Sequence, residues 1–148
     1  MKKISRKKGP VVAKKVSCDG IDFASGLEKY MYTCLKKHNI ENSYESHTFE
    51  LVNSFEFQND CYERQSNGKG DFCDRGNKKV LNIKYTPDFV GKDFIIETKG
   101  RANESFPMRW KLFKKWMTDN GDTRTLYKPQ NHDQCDQTVK LILAKRND

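Results

Sequence analysis

Apolar residues recur at helical spacing over residues 25–38, where Leu27, Tyr30, Met31, Cys34 and Leu35 share a face. Ser25 followed by Glu28 has the form of a capping box, and Asn39 ends the pattern. Residues 44–57 alternate loosely (Tyr44, Phe49, Leu51, Phe55, Phe57), which predicts a strand. Residues 58–78 are then polar and glycine-rich, as expected of a long loop or insertion. Apolar character resumes at Val80–Tyr85 and Asp88–Val90, turns at Gly91-Lys92 and continues through Asp93–Thr98, the outline of a hairpin stopped by Gly100.

A second helix is predicted over 106–118. Phe106, Trp110, Phe113, Trp116 and Met117 form one stripe, with Arg109, Lys111, Lys114 and Lys115 opposite. Thr123–Lys128 reads as a strand closed by Pro129. The segment from Asp133 to Lys145 reads as a helix whose apolar face holds Val139, Leu141, Ile142 and Leu143. The order helix, strands, helix, strand, helix predicts an α/β domain with a central mixed sheet flanked by helices.

Composition narrows the partner more than the fold. The chain has 148 residues and a net charge of +8, a balance that favours an anionic partner: nucleic acid is the first candidate, and a membrane surface or an acidic protein fits the charge alone equally well. Residues 1–17 read as a basic flexible arm carrying Lys2, Lys3, Arg6, Lys7, Lys8, Lys14 and Lys15, either a solubilising tail or a phosphate-tracking segment. The remaining 18–148 read as one domain with an insertion at about 58–78. There is no bilayer-length apolar run and no apolar leader, so the expectation is a soluble intracellular protein with no membrane partner. Five widely spaced cysteines are expected as free thiols. Cys61, Cys73, His132 and Cys135 could form a Cys₃His zinc site, but they lack a C-x₂-C knuckle. His38 and His47 read as surface residues.

The chemistry concentrates in Tyr85-Thr86-Pro87-Asp88-Phe89 and Ile95-Ile96-Glu97-Thr98-Lys99-Gly100. Strand side chains alternate between faces, so Glu97 and Lys99 project together while Ile96 and Thr98 project the other way. A tight hairpin can bring Asp88 beside them. Two carboxylates and an ammonium would then share one face, and hard oxygen ligands of this kind suit Mg²⁺ or Mn²⁺. An E-x-K string alone is as common in surface Glu–Lys pairs. Here Pro87 restricts the backbone that leads into Asp88, and the flanking apolar runs read as buried strands, where unpaired charge is expensive.

Pro87-Asp88 with Glu97-Thr98-Lys99 resembles the motif of the PD-(D/E)xK nuclease superfamily. Phe23-Ala24-Ser25-Gly26-Leu27-Glu28 is similar to the first-helix segment of the phage endonuclease I family of Holliday-junction resolvases. An Asp19-Gly20-Ile21-x-Phe23 opening and a Trp110–Phe113–Lys114 helix resemble small phage recombination endonucleases. The resemblance implies a restriction-endonuclease-like αβββαβ core with an extra C-terminal helix. It also implies Asp88 and Glu97 as metal ligands, Lys99 as the catalytic lysine and Glu28 as a further ligand, with Glu45 a weaker candidate. The function it implies is hydrolysis of DNA to 5′-phosphate and 3′-hydroxyl ends, on branched DNA, by a homodimer acting in a host cytoplasm. The alternatives are a nicking or restriction-type nuclease on linear duplex, a non-catalytic DNA-binding protein of the same fold, and an RNA-binding or protein-interaction module.

Overall fold

The computed structural model describes residues 15–103 and 105–148. Lys2, Lys3, Arg6, Lys7, Lys8 and Lys14 of the basic arm lie outside the described residues, and Lys15 is exposed. The elements run β1 (Val16–Cys18), β2 (Ile21–Phe23), α1 (Gly26–Lys37), β3 (Ser43–Tyr44), β4 (Phe49–Val52), β5 (Phe55–Phe57), β6 (Tyr62–Glu63), β7 (Cys73–Asp74) and β8 (Lys78–Val80). They continue with β9 (Ile83–Tyr85), β10 (Phe89–Val90), β11 (Phe94–Ile96), α2 (Phe106–Asp119), β12 (Thr125–Tyr127) and α3 (His132–Arg146). The chain is thus mixed α/β with three helices among the described residues. None of those helices is long and apolar enough to cross a membrane.

The chain divides into two compact units. The first comprises residues 15–44, Asp88–Ala102 and Arg124–Asp148. Its four-stranded sheet has the order β12-β11-β10-β3, with β12 parallel to β11 and the other neighbours antiparallel. The β10–β11 hairpin turns where expected. Gly91 donates its N–H to the Phe94 carbonyl at 2.9 Å, and a Cβ on Gly91 would stand 2.2 Å from the Phe94 ring, so only glycine fits there. Phe89, Phe94, Ile96 and Tyr127 from the sheet join Met31 and Leu35 of α1 and Cys135, Val139 and Ile142 of α3 in one core.

The capping expectation for α1 holds in part. Ser25 Oγ accepts the Glu28 N–H at 3.2 Å, but Glu28 returns to the N–H of Ala24 rather than that of Ser25. In α3, Leu141 is exposed, whereas Cys135 and Thr138 are buried with Val139 and Ile142. The inward stripe therefore lies one position away from the apolar run. The arm also ends earlier than expected, because Val16 and Ser17 already belong to the β1–β2 hairpin. That hairpin turns through Asp19 and Gly20, both at positive φ.

The second unit comprises Glu45–Pro87 and Asn103–Thr123. Residues 44–57 are not one strand, and 58–78 are not a structureless loop. Three antiparallel ladders, β4–β9, β5–β8 and β6–β7, follow one another along a two-stranded ribbon that starts at the Phe49↔Tyr85 pair. The register slips between Glu50 and Val52, and again between the Phe57↔Lys78 pair and the Asn77 N–H to Asn59 carbonyl bond. A Cβ on Gly76 would fall 2.0 Å from the Asn59 carbonyl oxygen, so glycine permits the close approach at the second slip. The ribbon base packs on α2: Phe49 lies 5.1 Å from Phe113 and 4.9 Å from Trp116, and Tyr85 lies 4.8 Å from Phe113, between ring centroids. The aromatic stripe of α2 is thus core, with Lys111, Lys114 and Lys115 exposed and Arg109 half-buried.

Candidate active site

All four residues singled out from the sequence as catalytic lie in the first unit. Phe89 pairs with Ile96, and continuing that register by one residue sets Asp88 opposite Glu97 across the antiparallel hairpin. Both carboxylates are buried, as is Glu28 near the start of α1. Lys99 Nζ lies 3.3 Å from Glu97 Oε1. A carboxylate oxygen of Glu28 stands within 4.8 Å of one of Asp88.

The backbone explains how the strands present these groups. The N–H groups of Glu97 and Lys99 bond to the carbonyls of Tyr127 and Pro129, each at 3.0 Å, continuing the parallel pairing beyond β12. The intervening N–H of Thr98 therefore points to the opposite neighbour, where it donates to Asp88 Oδ2 at 2.8 Å. The Thr98 hydroxyl donates to the same oxygen at 2.7 Å. Strand alternation alone predicts that Thr98 stands apart from the cluster; the structure corrects this, because the antiparallel ladder stops at the Phe89↔Ile96 pair and the Asp88 carboxylate takes both Thr98 donors beyond it. Thr98 is a positioning residue for Asp88.

Tyr44 holds the equivalent place for Glu28. Its hydroxyl donates to Glu28 Oε2 at 2.5 Å, and the Ala24 N–H donates to that oxygen at 3.2 Å. The capping and site roles of Glu28 thus do not compete, since one oxygen takes both bonds. Tyr44 carries no motif and could be found only through its place on β3, next to Phe89. Among the described residues, Asp88 Oδ1 and Glu28 Oε1 accept no hydrogen bond from the protein.

Electrostatically the cluster holds more negative charge than it neutralises. Burial, then the charges of Glu97 and Glu28, push the Asp88 carboxyl up to about 8 against the lowering effect of the Thr98 bonds. Among the described residues, Glu28, Asp88 and Glu97 offer only oxygen donors, and Lys99 pairs with Glu97. This donor set fits a hard divalent cation. Glu45 is exposed, with a left-handed φ of 47°.

The zinc alternative finds no geometry. Cys135 is fully buried in the core, and burial raises its thiol to about 12. His132 stacks on Tyr30 with centroids 3.9 Å apart, while Cys61 and Cys73 sit on the ribbon of the second unit. No group of histidine and cysteine ligands forms among the described residues, and the five cysteines are free thiols. His38 and His47 are exposed, as expected.

A family model described as protein of unknown function (DUF1064) matches residues 8–128. The chain belongs to this family. The matched span of the DUF1064 family contains Glu28, Asp88, Glu97 and Lys99 and ends before α3. No curated protein and no solved structure matches the chain.

Proposed function

We propose that the protein is a metal-dependent endonuclease that hydrolyses DNA phosphodiester bonds. The closeness of buried Glu28 and Asp88 carries this reading, with Glu97 acting on Asp88 and pairing with Lys99. Asp88, Glu97 and Glu28 would hold Mg²⁺ or Mn²⁺, which when bound polarises a phosphoryl oxygen and makes a coordinated water more acidic. Thr98 and Tyr44 fix two of those carboxylates through one oxygen each, so their orientation is set before substrate arrives. Lys99, half-buried against Glu97, places a positive charge where negative charge builds on the phosphoryl group.

The finer reading is a restriction-endonuclease-like core: an antiparallel β10–β11 hairpin carrying the acids, then α2, then β12 parallel to β11. Branched DNA is the favoured substrate and a homodimer the favoured assembly. Two symmetric cuts in a four-way junction need two sites related by a twofold axis. The net charge of +8 supports a nucleic-acid partner.

A cleavage assay with Mg²⁺ or Mn²⁺ on matched four-way, nicked and linear DNA tests the proposal. Wild-type protein should cut the junction fastest, and Asp88→Ala or Lys99→Ala should abolish cutting while leaving binding in chelator largely intact. Equal rates on linear and branched DNA would remove the resolvase reading. Failure to cut any form would leave a non-catalytic DNA-binding protein.

A further inference from the structure

The chain beyond Lys99 contributes a second cation to the same site. A cavity of about 310 Å³ is lined by Leu27, Glu28, Thr98, Lys99 and Arg101, among others, all within the first unit. Its two cations differ in what they already hold. Lys99 pairs with Glu97, whereas Arg101 is exposed and has no carboxylate or hydrogen-bond partner among the described residues. The carboxylates at this end of the sheet repel a DNA backbone, and a cation between them acts chiefly on the phosphate it touches. The neighbouring phosphate still needs a positive group. A guanidinium, planar and with five donors, matches the oxygens of a phosphate better than an ammonium does. The Lys99 N–H is tied to Pro129, so the short Lys99-Gly100-Arg101 stretch starts from a fixed point.

We propose that Arg101 is a substrate-binding residue that grips the phosphate next to the scissile one. This rests on the nuclease reading for which phosphate is cut, but its test does not depend on cleavage. Full-length protein in chelator is titrated against a fluorescently labelled four-way junction at several salt concentrations. Arg101→Ala should weaken binding roughly 10-fold and lower the salt slope by about one phosphate contact. Arg64→Ala removes the same charge from an exposed arginine on the ribbon and should leave both quantities near wild type. Arg101→Lys should restore the slope but only part of the affinity. With Mg²⁺ added, Arg101→Ala should raise KM with kcat within a few-fold of wild type, whereas Lys99→Ala should lower kcat.

Wild-type affinity and slope in Arg101→Ala, or an equal loss in Arg64→Ala, would overturn the assignment. So would a fall in kcat with binding unchanged. A wild-type protein that cuts nothing sinks the nuclease reading instead, and the metal-free comparison still decides whether Arg101 holds a phosphate.

Discussion

Replacing Asp88 by asparagine isolates the cost of placing an ionisable third carboxyl in this cluster. The side chain ionises near 3.8 when unperturbed, but burial and the neighbouring carboxylates push it up to about 8 in the folded protein. Between those values the folded state holds a proton that the unfolded state has released. Stability therefore falls as pH rises through that window, and it is recovered toward pH 4. At pH 7 the distance from the unperturbed value is about 3 units, and each is worth about 1.4 kcal/mol, so the metal-free protein carries a penalty of roughly 4 kcal/mol. Asparagine keeps an oxygen for the two Thr98 donors but adds an amide NH₂, which costs on the order of 1 kcal/mol where it is poorly paired. Asp88→Asn should therefore be more stable than wild type by roughly 3 kcal/mol at pH 7, with the difference shrinking and reversing toward about pH 4. Urea denaturation in chelator, at steps from about pH 5 to about pH 8, measures this directly if both proteins give the same m value. Added Mg²⁺ should narrow the gap by stabilising only the wild type. Parallel stability profiles for the two proteins across that range would refute the account of the cluster.

Other consequences follow from particular contacts. Thr98→Val deletes the hydroxyl bond to Asp88 and keeps the backbone bond, so it should cost about 1 kcal/mol and slow cleavage roughly 10-fold without changing KM; unchanged kcat would show that Asp88 needs no such support. Tyr44→Phe removes the hydroxyl donor to Glu28 and should weaken Mg²⁺ affinity about 10-fold in calorimetric titration. Phe113→Ala empties the fully buried centre of the aromatic cluster under the ribbon base, for a loss of about 3–5 kcal/mol by urea denaturation.

The parts of this architecture that sequence reveals are those governed by short-range rules. The β10–β11 hairpin is legible because both strands are apolar, the turn has its glycine, and Asp88 and Glu97 end on facing positions. The start of α1 is legible because Ser25 and Glu28 act within one helical turn. The ribbon is not, since alternation marks a strand only where one face is buried, and above Phe49 and Tyr85 residues such as Phe55, Tyr62 and Phe72 are exposed. Thr98 and Tyr44 escape for a different reason. Each reaches a carboxylate by a bond that depends on where the ladder stops or which strand lies alongside, and local pattern encodes neither.

The two register slips also govern how the ribbon can change length. Each places its extra residue, Leu51 and then Gln58, on the outgoing strand. Deleting an even number of matched pairs within one ladder shortens the ribbon and keeps every remaining side chain on its face, whereas an odd number turns over everything out to the tip. A deletion that spans a slip must take an even number of residues from the returning strand and one residue more from the outgoing one. Otherwise everything from that point to the tip turns over, and Tyr62 and Phe72 exchange faces with Glu63 and Cys73. Relatives with shorter or longer ribbons should therefore differ by unequal numbers of residues on the two strands wherever a slip has been lost or gained, with the Phe49–Tyr85 base unchanged.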